Sequence, residues 1–127
     1  MALKQIRLEL ARTRELPEGS DKRGYEFFAP LKRDGHIDGE HFKELAQLCT
    51  VHKFWDGEDE HGQIVRTRDG KHFAFSYQPG DEDDEPFFKL ARHAFKPGEY
   101  ITLTEPDGEQ HTFKVIWVRD PPPPPRG

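Results

Sequence analysis

The chain has one cysteine, Cys49, among 127 residues, which excludes an intrachain disulfide and a cysteine-rich zinc site and suits a reducing compartment. It has no run of 18 apolar residues and no secretory pattern of basic start, apolar stretch and small-residue cleavage site. A membrane-spanning helix and secretion are both disfavoured, and the expectation is a soluble, cytoplasmic protein of bacterial type with no membrane partner. Large apolar residues are not abundant either. Leu, Ile, Val and Phe make up about 22% of the chain, just above the roughly 20% below which highly charged chains tend to stay disordered. Aromatics compensate: ten Phe, three Tyr and two Trp are present, and each buries about 150–250 Å², so a small core can be filled by large side chains. The length suits one domain, residues 1–119, followed by a disordered proline-rich tail, 120–127, with five consecutive prolines.

Basic residues number 19 against 24 acids, but the imbalance is local. Asp56, Glu58, Asp59 and Glu60 form one acidic run and Asp81, Glu82, Asp83, Asp84 and Glu85 a second, with no Lys or Arg inside either. With those nine set aside, 19 basic residues face 15 acids, so the net acidity is a property of two loops.

Strand signals dominate. Ile6, Leu8 and Leu10 alternate with Arg7 and Glu9, the period-two pattern of a half-buried strand continuing toward Arg14. Tyr25, Phe27, Ala29 and Leu31 line one face of a second run that ends at Asp34-Gly35, and the two runs should pair. Asp38 suits an N-cap, with Phe42, Leu45, Ala46 and Cys49 on one helical stripe, so one helix of about three turns is expected. Val51 to Trp55 reads as a strand. Asp69-Gly70 fits a two-residue hairpin turn that sets Ile64 opposite Phe75 and Arg66 opposite Phe73. A second hairpin, turning through Pro106-Asp107-Gly108 with Gly108 at a bulge, sets Ile101 opposite Phe113 and Leu103 opposite His111. Phe87 to Phe95 fits a strand better than a short helix because the tight turn Lys96-Pro97-Gly98 precedes the strand Tyr100 to Thr104. About seven short strands and one helix make the fold class mainly β, a small antiparallel barrel or strongly bent sheet.

The words Arg7-Leu8-Glu9-Leu10-Ala11-Arg12, Gly24-Tyr25-Glu26-Phe27, Asp34-Gly35-His36-Ile37-Asp38, Phe54-Trp55 and Pro97-Gly98-Glu99-Tyr100 together resemble a family of short uncharacterised bacterial proteins, over about residues 4 to 118. The resemblance implies a complete small protein and brings no activity, cofactor or site residue with it.

Function therefore has to be read from the residues. No Ser-His-Asp order, phosphate-cradling glycine loop or dinucleotide-binding fingerprint is present, which favours a non-enzymatic binding or protein-interaction module over an enzyme. If the turn at Asp69-Gly70 brings the two acidic runs to one rim, their repulsion could be relieved by a basic protein partner or by a divalent cation. The metal alternative uses Asp56, Glu58, Asp59, Glu60, His61, Asp81, Asp83 and Asp84, with a metal-assisted hydrolase as its enzymatic form. The spacing does not fit an EF-hand, since His61 stands where that loop needs Gly. No other cofactor is expected. Seven histidines (36, 41, 52, 61, 72, 93 and 111) show no zinc spacing; His111, facing Leu103, reads as a core-edge residue, and Cys49 as a packing residue. A single-stranded nucleic-acid surface is the third reading. Residues 1–33 hold eight Lys or Arg against five acids, interleaved with Tyr25, Phe27 and Phe28, although the overall acidity opposes it. The oligomeric state is open.

Overall fold

The computed structural model describes residues 3–13, 16–66, 73–76, 94–104 and 110–122. Alternation acts as expected in β1 (Leu3–Leu10), where Ile6, Leu8 and Leu10 are buried while Arg7 and Glu9 stand on the other face. It pairs with β2 (Ser20–Pro30), whose Tyr25, Phe27 and Ala29 are fully buried. β1 ends at Leu10, short of Arg14. The chain turns through Gly19, whose φ of +74° and close approach to the Leu10 carbonyl leave no room for a side chain.

Asp38 caps helix α1 (Gly39–Leu45), its carboxylate accepting from the backbone N–H of Glu40 and His41 at 3.1 and 3.3 Å. The helix is shorter than three turns: two turns pass into a 3-10 turn over Ala46–Leu48, and Cys49 closes it through its N–H to the Ala46 carbonyl. Phe42 and Cys49 join the core, and Lys43, Glu44 and Gln47 face water.

β3 (Thr50–Trp55) and β4 (Glu58–Arg66) form a hairpin around Asp56-Gly57, with φ of +52° and +93°, as a turn with two left-handed central residues requires. This corrects the reading of 56–60 as an acidic loop: only the turn is loop, and Glu58 to Glu60 are strand. β5 (Phe73–Ser76) pairs with β4 in the expected register, Ile64 opposite Phe75 and Arg66 opposite Phe73. β6 (Tyr100–Thr104) and β7 (Gln110–Arg119) pair with Ile101 opposite Phe113 and Leu103 opposite His111, also as expected. The turns at 69–70 and 106–108 and the stretch 87–93 lie outside the described residues. Lys96 to Glu99 is the anticipated tight turn, with Gly98 at φ +91° and the Glu99 N–H on the Lys96 carbonyl at 3.0 Å.

The strand order is β5-β4-β3-β2-β1-β7-β6, seven strands joined by six antiparallel pairings. Every chain neighbour is a sheet neighbour except β5 and β6, which are the two edges. Closure into a barrel is therefore a correction: among the described residues the edges are not paired and the sheet is open. It is nonetheless strongly bent. Trp55 on β3 and His111 on β7 are three strand spacings apart, about 14 Å in a flat sheet, yet their rings meet at 5.5 Å. Tyr25 and Phe113, two spacings apart, meet edge to face at 5.3 Å. Register shifts in β1–β2 near Glu9 and in β1–β7 near Arg7 mark the irregularities that let the sheet curl. The concave face holds the core, which α1 and Phe95 complete at one end, Phe95 meeting Phe27 edge to face at 5.3 Å.

Candidate functional site

The first acidic run is split by the pleat of β4. Directly opposed residues share a face, so Glu58 and Glu60 lie with Trp55 and Lys53 on the concave side, while Asp59 and His61 lie with Phe54 and His52 on the convex side. Asp56, in the turn, is taken by Arg23 through Nε and Nη2 at 2.9 and 2.6 Å, which holds its carboxyl below the usual value. On the convex side His52 and His61 stack with ring centroids 4.5 Å apart, and His52 Nε2 lies 3.1 Å from Asp59 Oδ1 without the alignment of a hydrogen bond. Parallel imidazoles aim their lone pairs alongside one another rather than at a common point. Among the described residues, no group of three His, Cys, Asp or Glu side chains is disposed to hold a metal ion. Asp81, Asp83 and Asp84 lie outside the described residues.

The other sequence candidates also find places. Tyr25 and Phe27 are fully buried, so they cannot offer ring faces to bases. His111 is half-buried between Trp55 and Phe113. Cys49 is buried, its thiol donating to the Leu45 carbonyl at 3.3 Å, and burial pushes its pKa up to about 11. Burial disfavours the thiolate.

A more coherent arrangement lies at the end of the sheet beside α1. The chain leaves β2 at Pro30 and passes through a turn in which the Gly35 N–H bonds to the Lys32 carbonyl at 2.9 Å. The segment before β6 docks on that turn, the Phe95 N–H donating to the Gly35 carbonyl at 2.9 Å. Gly35 has φ +92°, and a Cβ there would meet Phe95 N at 3.1 Å, so the close approach needs glycine. This docking brings Lys96 beside Lys32 and Arg33, and with Lys4 and His41 they line an open hollow of about 550 Å³. Leu31, Phe95, Pro97 and Val118 supply its apolar floor and wall.

Lys4 and His41 are paired with carboxylates, and Asp34 attracts Lys32 at longer range without forming an ion pair with it. Asp34 is engaged by the His36 N–H at 3.0 Å, Asp38 by the helix N–H groups and the His41 ring at 2.6 Å, and Asp120 by Lys4 at 2.5 Å. No carboxylate among the described residues pairs with Lys32, Arg33 or Lys96. A second hollow, of about 790 Å³, mixes Glu9, Glu18 and Asp21 with Arg12 and Lys114 and so favours neither sign. Sequence reasoning registered the basic excess of residues 1–33 but missed the hollow, because Lys96 stands more than sixty positions further on and only the Gly35–Phe95 contact brings it there.

No helix among the described residues is long and apolar enough to cross a membrane. Comparison with protein-family models, with curated proteins and with solved structures finds no match for this chain.

Proposed function

We propose that this protein is a non-enzymatic binding module whose recognition site is the hollow between the turn at residues 32–35 and the segment Phe95 to Pro97, and whose ligand carries negative charge. The observation that supports it is the juxtaposition of Lys32, Arg33 and Lys96, none paired with a carboxylate among the described residues, around a concavity of about 550 Å³. Concave sites of about 300–1,000 Å³ suit small molecules. Arg33 offers a planar fork for oxyanions, and Lys32 and Lys96 offer point charges on flexible stems. The acid-rich β3–β4 hairpin gives the same module a surface of opposite sign, suited to a basic protein partner.

The test is a titration of inorganic phosphate into the labelled protein at low ionic strength, followed by backbone amide shifts. Signals of residues 31–35 and 95–97 should move together and saturate, and K32E/R33E should abolish the response without changing the fold. If those amides stay still while scattered lysines respond linearly, the site does not exist.

A further inference from the structure

The hollow is larger than a bare oxyanion needs, and its lining is of two kinds. Lys32, Arg33 and Lys96 are exposed and supply the charge. Pro97 is exposed and Val118 half-buried, and behind them the nearly buried Leu31 and Phe95 close the floor. These four residues come from three separate stretches of chain, the end of β2, the segment before β6 and the end of β7, so the apolar side belongs to the tertiary fold.

We infer that the ligand of this hollow is a small phosphate monoester with an apolar or aromatic body, its phosphoryl oxygens held by Lys32, Arg33 and Lys96 and its body lying against Pro97 and Val118. The inference rests on the anion-binding reading above and adds the chemical class. Three cations without carboxylate partners among the described residues favour a dianion over a monoanion, because the second charge of a phosphate monoester at neutral pH gains from the same three groups. A planar guanidinium matches two phosphoryl oxygens at once. The apolar wall would be superfluous for inorganic phosphate, whereas a body of ring size removes it from water.

Three soluble probes separate these contributions: inorganic phosphate has the charge alone, benzenesulfonate the body with a single charge, and phenyl phosphate both. Phenyl phosphate should bind about tenfold more tightly than inorganic phosphate, the effect expected from burying roughly 55 Å² of apolar surface, and more tightly than benzenesulfonate because of its second charge. P97S, at an exposed turn position, should bring the ratio of phenyl phosphate to inorganic phosphate affinity down toward one. K96A should weaken both phosphates. Equal affinity for phenyl phosphate and inorganic phosphate overturns the inference and leaves the anion site standing. Silence from all three probes overturns both. A 5′-phosphorylated single-stranded oligonucleotide that binds more tightly than phenyl phosphate and shifts amides well beyond the hollow assigns the surface to nucleic acid and also overturns the inference.

Discussion

Gly24 shows how much a single position can decide. It lies where β1 and β2 shift register and where the Phe54 ring crosses the sheet; a Cβ there would sit 2.0 Å from the Leu8 carbonyl oxygen and 2.9 Å from Phe54 Cζ. Backbone has to move to admit it, so G24A should cost about 1–3 kcal/mol in chemical denaturation, within the usual range for overpacking. Asp38 serves two purposes, capping α1 and holding the His41 ring, and the bond between them lowers the Asp38 pKa and raises that of His41. The signs differ. The contributions of Asp34, Asp38, Asp56 and Asp120, all held below the ordinary carboxylate value by His36, His41, Arg23 and Lys4 in turn, are present above that value and vanish as pH falls through the lowered ones. The His41 contribution is present below the ordinary imidazole value and disappears as pH rises through the raised one. D38N should return the His41 titration toward its ordinary midpoint in an NMR titration while keeping helix content, since Asn caps about as well as Asp.

At the scale of elements, the β3–β4 hairpin is the most informative. Its turn residue Gly57 has φ +93°, and a Cβ added there would meet nothing within 4 Å, so G57A tests conformation alone and should destabilise by about 1 kcal/mol in a thermal melt. The letters read Asp56-Gly57 as part of an acidic loop rather than as a hairpin turn, because the acids that follow are poor strand formers. Pairing overrides that preference: β3 supplies Lys53 opposite Glu60, and alternation sends Asp59 to the face away from Glu58 and Glu60. On the convex face Arg7 ties three strands, donating to Glu9 at 2.6 Å and Glu26 at 2.9 Å and resting 4.4 Å from the centre of the Phe54 ring. Burial opposes its charge, but the two carboxylates outweigh that and raise its pKa. These three polar groups are only about a fifth to a quarter exposed, so R7A should cost about 1–2 kcal/mol in chemical denaturation. A double-mutant cycle with E26Q should return a favourable coupling.

For the whole molecule the decisive contacts join strands distant in the chain. Phe113 is fully buried on β7 and packs on Tyr25 across β1, so F113A should cost about 3–5 kcal/mol and lower the melting transition of the sheet as a unit. Such contacts also explain why the site could not be read in advance. Lys32 and Arg33 were visible as part of a basic stretch, and Lys96 as the first residue of a turn. Their meeting depends on Phe95 entering the core and on Gly35 admitting the segment that carries it.

Taken alone, the chain of letters determined what is local: the alternation that buries Ile6, Leu8 and Leu10, the cap at Asp38, the turn at Pro97-Gly98, and the facing pairs Ile64 with Phe75 and Ile101 with Phe113. Period-two patterning and turn geometry act over a few bonds and leave their mark in neighbouring residues. Only the tertiary structure decided that β7 returns to β1, that β5 and β6 remain as edges, and which charged groups share a face or a hollow. Those outcomes follow from burying one concave apolar face on a sheet bent at its irregular pairings, and burial is a sum over the whole chain that no short stretch carries.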